Sequence, residues 1–368
     1  MELDKRLIRP DYSNCIANIP NSVLRHFGAE TVGDTLPILD RYLEKRYKNV
    51  VFLILDGMGK YILEETLGED GFFRSNVKDT ITSVFLATTV AATTSAITGL
   101  QPCEHSWLGW DIYYPSVDKN VTVYLNTIQG TDIPAADHNV ARATAPFESA
   151  VERIIKAGGK AYDCYPYSEP YPDTLEKICG RIEELCALDG EKYIYAYWNE
   201  PDGMLHRKGR GCDEVRLLLE DIEKTVYSTA KKLDDTLLVI TADHGHINNR
   251  SVYLKDYPAI SDCLVRLPSL EPRVLNMFVK PGKEDVFVRE FNSCFGEDFQ
   301  LLTMDDALDM KLFGTGKKHS AFRSVLGNYI ALATGDLSIY FTAENWVSMH
   351  GSMTHDEMLI PLIIYECK

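Results

Sequence analysis

Three unbroken apolar runs in the chain end alike. Val50 to Leu55 runs into Asp56-Gly57, Tyr193 to Trp198 is followed shortly by Asp202-Gly203, and Leu237 to Thr241 leads into Asp243-His244-Gly245. Short continuous runs rich in β-branched and aromatic residues predict strands covered on both faces. Helical patterns separate them, over Phe147 to Lys156, Asp173 to Leu188 and Asp213 to Leu233. In the last of these Val215, Leu218, Leu219, Ile222 and Val226 recur at helical spacing. Strands alternating with helices predict an α/β fold, with a mostly parallel central sheet flanked by helices.

The pattern changes after residue 250. Strand signals at 274–279 and 299–302 alternate with helical signals at 285–294 and 305–312, with Pro281-Gly282 as a turn. This predicts a small inserted α+β subdomain over 250–345, the catalytic α/β core being 1–249 together with 346–368. The last apolar run, Leu359 to Tyr365, predicts a strand that returns to the main sheet. Its Pro361 suggests an edge position or a strand start.

In an open parallel sheet, ligands sit beyond the carboxyl ends of the strands. Asp56, Asp202 and Asp243 should therefore face one rim, where three carboxylates repel each other unless cations neutralise them. An aspartate after a strand is often only the N-cap of the next helix. Three of them, two with histidine at ligand spacing, are harder to explain that way. His206 follows Asp202 by one helical turn, and His244 follows Asp243 directly. Positions i and i+4 share a helix face. Mixed carboxylate and imidazole donors suit zinc, with manganese second; calcium and magnesium fit less well.

The small residues from Val90 to Thr98, closed by Gly99, predict a short buried helix with Thr88 or Thr89 at its N-cap. A hydroxyl there meets free backbone amides and the positive end of the helix dipole, a position that suits a phosphate oxygen or an ionised alkoxide.

Composition narrows the function further. The formal net charge is −16, which argues against a nucleic-acid polymer as partner. Any phosphate site then needs its own local positive charge, for which bound dications are the obvious source. No apolar stretch approaches a membrane span, and the charged start Met1 to Arg6 lacks the apolar run of a signal peptide. Nine cysteines without a Cys-x-x-Cys pair suggest reduced thiols and a cytoplasmic location. A Gly-x-Ser-x-Gly elbow is missing, which argues against a serine hydrolase of the α/β type. The Cys-x-Pro-x-Arg pattern of sulfatases is missing too.

Taken as an ordered set, these motifs resemble the alkaline phosphatase superfamily, and within it the type I phosphodiesterase/nucleotide pyrophosphatase family. The matching pieces are Leu55-Asp56-Gly57, Thr89 ahead of Gly99-Leu100-Gln101-Pro102, Glu104-His105, Pro201 to His206, Thr241 to Gly245, and His350-Gly351. The resemblance implies two divalent metal ions, one held by Asp202, His206 and His350, the other by Asp56, Asp243 and His244. It implies Thr89 as the nucleophile and a small phosphate ester or nucleotide as substrate. It is the resemblance alone that selects His350; His355 is the fallback. His246 reads as a neighbour of the ligands or as structural. One position departs from the family: Trp110 stands where its diesterases place an asparagine that holds a phosphate oxygen. An indole donates one hydrogen bond and cannot imitate an amide. A phosphomonoesterase on the same metals, or a binding protein that keeps the fold, are the alternatives. The oligomeric state is left open.

Overall fold

The computed structural model describes residues 2–343 and 345–368. Its central sheet has six strands, in the order Val77–Thr82, Leu359–Cys367, Thr236–Thr241, Asn49–Leu55, Lys192–Trp198 and Lys160–Cys164. The last four of these are mutually parallel. Asn49–Leu55 lies in the middle, and every residue of it and of Thr236–Thr241 is buried. That is the position an uninterrupted apolar run requires. Its two neighbours are the other two strands predicted from apolar runs, so Asp56, Asp202 and Asp243 all emerge at one rim.

The flanking helices follow their caps. The predicted Phe147 helix begins at Ala150, because Ser149 and Glu152 form a reciprocal capping box. Leu175–Ala187 begins after Thr174, whose side chain accepts from the Lys177 amide. Asp213–Ala230 buries Val215, Leu219, Ile222 and Val226 in the main hydrophobic core, beside helix Leu175–Ala187. Among the described residues, no helix is long and apolar enough to cross a membrane.

Leu359–Cys367 is an interior strand, not an edge. Its first half pairs with Val77–Thr82 and its second half with Thr236–Thr241, with a register shift between Leu362 and Ile363. Pro361 lies near the strand start, and its carbonyl accepts from Thr241 Oγ1 at 2.6 Å. The proline nitrogen faces the same side, beyond the paired stretch, so no ladder bond is lost.

A second, antiparallel sheet has seven strands: Phe299–Thr303, Tyr329–Ala333, Val274–Met277, Ser269–Glu271, Asp111–Tyr114, Lys119–Thr122 and Thr127–Ile128. The sheet thus extends beyond the 250–345 segment and draws three strands from residues 111–128. Helix Glu284–Phe295 covers it with Phe287, Phe291 and Phe295, spaced four apart and all buried.

One buried ion pair ties this sheet to the rim. Arg273 Nε donates to Glu357 Oε1 at 2.6 Å and Arg273 Nη2 to Glu357 Oε2 at 2.9 Å, with both side chains fully buried. Glu357 also accepts from the Ser352 amide and the Thr354 hydroxyl, which fixes the loop that carries His350. Removing one partner of such a pair strands a buried charge, at a cost of about 3–5 kcal/mol. Arg273→Met should lower the unfolding free energy by about that much in urea denaturation; a change under about 1 kcal/mol would contradict the role given to the pair.

Candidate functional site

The rim is built by close backbone approach. The Asp202 amide donates to the Asp56 carbonyl at 3.0 Å. Gly57 has φ +75°, and a Cβ there would lie 3.0 Å from Asp202 Cα. Gly245 passes so near the next loop that a Cβ would meet the Asp356 carbonyl at 2.0 Å. Glycine at these two positions is what lets the three strand-end loops converge.

Asp56, Asp243 and His244 form one half of the site. His244 Nε2 lies 3.3 Å from Asp56 Oδ1 and 3.5 Å from Asp243 Oδ2. Among the described residues, both of those oxygens are buried without a hydrogen-bond donor. Their partner oxygens are occupied: Asp56 Oδ2 accepts from the Tyr197 hydroxyl, and Asp243 Oδ1 from the amides of Gly57 and His244. Two orphaned carboxylate oxygens facing an imidazole nitrogen are a donor set for a divalent cation, since buried polar atoms otherwise find partners.

Asp202, His206 and His350 form the other half. His206 lies one turn after Asp202 on the same face of helix Asp202–Lys208, with Nε2 3.3 Å from Asp202 Oδ1. His350 Nε2 is 3.6 Å from the same oxygen, and its ring stacks on His244 with centroids 3.6 Å apart. His355 is exposed, at the start of helix His355–Met358. The structure therefore brings His350 and not His355 into the cluster. His246 joins it as well, with Nε2 2.7 Å from Asp202 Oδ1.

The electrostatics record a shortage of positive charge. Burial, then the neighbouring Asp243 and Asp202, push the Asp56 carboxyl well above the usual carboxylate range. Burial alone would do the same to Asp202, but the charges and hydrogen bonds of His206 and then His246 hold it well below. Burial lowers His246 to about 3. Burial, then His244 and His246, keep His350 well below the usual imidazole range. Neutral imidazoles beside carboxylates are what a metal requires of its ligands.

Thr89 faces this cluster. It is the first residue of helix Thr89–Thr98, with Thr88 as the N-cap and Gly99 at φ +79° closing the other end. Its Oγ1 lies 3.2 Å from His244 Nε2, and the residue is partly accessible while its neighbours are buried. The first bond within the helix runs from the Ala92 amide to the Thr88 carbonyl. The earlier amides, at the positive end of the dipole, remain for a ligand.

Glu271 was not foreseen from the sequence. Its Oε1 accepts from the Thr88 hydroxyl at 2.6 Å and from the Trp110 amide at 2.9 Å. Burial raises its carboxyl to about 8. It spans the residue before Thr89 and the loop at the family's asparagine position. Trp107 packs inside, donating to the Ala145 carbonyl, whereas Trp110 is about one third exposed. Trp110 and Tyr124 meet edge to face at 6.1 Å, and Trp346 lies 5.4 Å from His206.

A buried carboxyl raised above its unfolded value supports folding below the unfolded pKa and loses that support as pH rises through the folded one. Without metal, Asp56 thus opposes folding at neutral pH. Asp56→Asn should raise the stability of the metal-free protein at pH 7 by about 0.5–2 kcal/mol, with the gain vanishing toward pH 3. Thermal melts across pH test this; a destabilised metal-free variant at pH 7 would contradict it.

Comparison with known proteins places this geometry. The family model for type I phosphodiesterase / nucleotide pyrophosphatase matches residues 50–352. No curated protein matches the chain. Among solved structures, human ectonucleotide pyrophosphatase / phosphodiesterase 5 superposes with a TM-score of 0.67 at 17% identity, covering 86% of this chain and 87% of the other. An inactive threonine-to-alanine variant of the murine protein, in complex with AMP, superposes at 0.62 and 16% identity, with 86% and 87% covered. Phosphonoacetate hydrolase from Sinorhizobium meliloti 1021, in complex with phosphonoacetate, gives 0.63 and 13%, with 85% and 89% covered. The likenesses show a shared fold, with a central sheet flanked by helices. The family match runs from the central strand to the loop after His350, and the chain belongs to the type I phosphodiesterase / nucleotide pyrophosphatase family.

Proposed function

We propose that the protein is a two-metal hydrolase of phosphate esters, acting on phosphodiesters or nucleotide pyrophosphates through a phospho-threonine intermediate at Thr89. The observation that carries this reading is Thr89 Oγ1 at a helix N-terminus, 3.2 Å from His244 Nε2 and facing two orphaned carboxylate oxygens. The inactive threonine variant of the murine neighbour, with AMP bound, supports a threonine nucleophile and a nucleotide-like ligand.

Asp56, Asp243 and His244 would hold one divalent cation, and Asp202, His206 and His350 the other. Zinc suits these donors best and manganese second. When bound, the ions neutralise phosphoryl charge and lower the pKa of a nearby hydroxyl or water. The chain's own groups do the rest. Helix Thr89–Thr98 presents Oγ1 for in-line attack at phosphorus and offers its first free amides to a non-bridging oxygen. Tyr197 holds Asp56 in place through Oδ2. Glu271 holds the Thr88 hydroxyl and the Trp110 amide on one oxygen, which keeps the nucleophile's helix in register with the loop beside it. As the Oγ1–P bond forms, the P–O bond to the leaving alcohol or phosphate breaks and that group departs, taking up a proton; water then cleaves the phospho-threonine, releasing the remaining phosphate and restoring the Thr89 hydroxyl.

A phosphomonoesterase on the same centre is the second reading. It is favoured by Trp110, whose indole cannot supply the amide contact of the family's diesterases. Rates on bis(p-nitrophenyl) phosphate and p-nitrophenyl phosphate, with zinc or manganese present, separate the two.

Thr89→Ala should reduce turnover by about 10⁴-fold or more and leave the bound metal unchanged by elemental analysis. Retained activity in that variant would remove Thr89 from the mechanism. Loss of both metal and activity would leave Thr89 a structural role only.

A further inference from the structure

His246 lies outside the ligand set implied by the family, yet it stands nearer to Asp202 than either histidine of that set. Its Nε2 is 2.7 Å from Asp202 Oδ1, against 3.3 Å for His206 and 3.6 Å for His350. Its ring is fully buried and lies roughly edge to face with both, at centroid distances of 4.9 and 5.0 Å. Asp202 and the three imidazoles each bring a donor atom to one point, all within 4.8 Å of one another.

The hydrogen bonds fix which ring nitrogen of His246 carries the proton. Nδ1 lies 3.1 Å from Ser348 Oγ. That hydroxyl has one proton, which it donates to the Ile247 carbonyl at 3.0 Å, so toward His246 it acts as acceptor and Nδ1 is the donor. A neutral imidazole then presents an unprotonated Nε2. Its lone pair then faces a carboxylate oxygen at 2.7 Å, a contact that needs either a proton, as in the metal-free chain, or a metal ion between the two.

The same polarity holds around the cluster. Nδ1 of His206 faces the Ser348 carbonyl at 2.8 Å, that of His350 the Ala87 carbonyl at 3.1 Å, and that of His244 the Gly245 carbonyl at 3.2 Å. A carbonyl only accepts, so each of these rings keeps Nδ1–H outward and, in its neutral form, directs a bare Nε2 inward. Ser348 sets two of the four rings, His206 through its carbonyl and His246 through its hydroxyl. Outward Nδ1–H with inward Nε2 is the arrangement found in metal-bound histidines.

We propose that His246 is a fourth protein ligand to the cation held by Asp202, His206 and His350. The inference rests on the reading above that a cation occupies this half, and it makes the two halves unequal. Four protein donors complete the tetrahedral shell that zinc prefers, whereas the Asp56, Asp243 and His244 half keeps an open position next to Thr89. The Asp202 half is then the tighter of the two and the last to give up its ion to a chelator.

Histidine-selective ¹⁵N labelling of the protein loaded with ¹¹³Cd²⁺ tests this without reference to activity. Scalar coupling between ¹¹³Cd and Nε2 is expected for His206, His244, His246 and His350. His246→Gln, which keeps an amide beside Asp202, should remove one coupled signal. It should also weaken the tighter site about 100-fold or more in chelator competition, beyond the 10–100-fold typical of groups that only orient a ligand. Coupling at the other three with an Nε2–H proton on His246 would overturn the proposal and leave the metal centre intact. Coupling at none of them would overturn both. Should His246→Gln fail to fold, the wild-type spectrum alone decides, because it counts the coupled rings directly.

Discussion

Buried negative charge is the constraint around which this rim is organised. Three neighbouring strands deliver Asp56, Asp202 and Asp243 to one place, and their mutual repulsion in a dry setting is large. In the chain alone the strain is relieved unevenly. Asp56 is pushed toward its neutral form, while Asp202 stays ionised with His206 drawn toward the charged form beside it. A cation in each half would relieve both at once. The orphaned oxygens of Asp56 and Asp243 are the part of the strain that no hydrogen-bond donor among the described residues answers.

Much of the surrounding structure serves to hold that strained set in place. Gly57 and Gly245 allow the loops to touch, and carbonyls and a hydroxyl on the far side of each imidazole fix the ring orientations. The second sheet contributes from a distance. Arg273 anchors Glu357 and thereby the His350 loop, and Glu271 reaches from the same sheet to Thr88 and Trp110. Ala87, two residues before the proposed nucleophile, bridges to Gly351, next to His350. Thr89, the His350 loop and the second sheet are thus one connected unit, which is how a site keeps its geometry against its own repulsion.

The sequence reading reached the parts of this unit that are local. Strand-end aspartates show in the chain because an apolar run stops where the sheet does, and His206 and His244 show because their spacing to an aspartate is short. Thr88 and Thr89 were visible as an N-cap pair ahead of small residues and Gly99. His246 shows in the chain as a neighbour of the ligands, but its contact with Asp202 does not, because the ring is set by Ser348, which is distant in sequence. Glu271 left no signal at all: its partners lie far away in the chain, and its strand is three residues long. The sheet built from 111–128 together with 269–333 was hidden for the same reason, since antiparallel pairing between remote segments has no local periodicity beyond the strands themselves.

The central proposal is that the buried carboxylate and imidazole cluster holds cations. Calorimetric titration of the metal-depleted protein with Zn²⁺, followed by thermal melts, tests that most directly. About two equivalents should bind, the tighter one first. Each occupied site should stabilise the fold by about 2.7 kcal/mol when free zinc is one hundred times its dissociation constant. A protein that takes up no zinc, or takes it up with no gain in melting temperature, would contradict the account at its base.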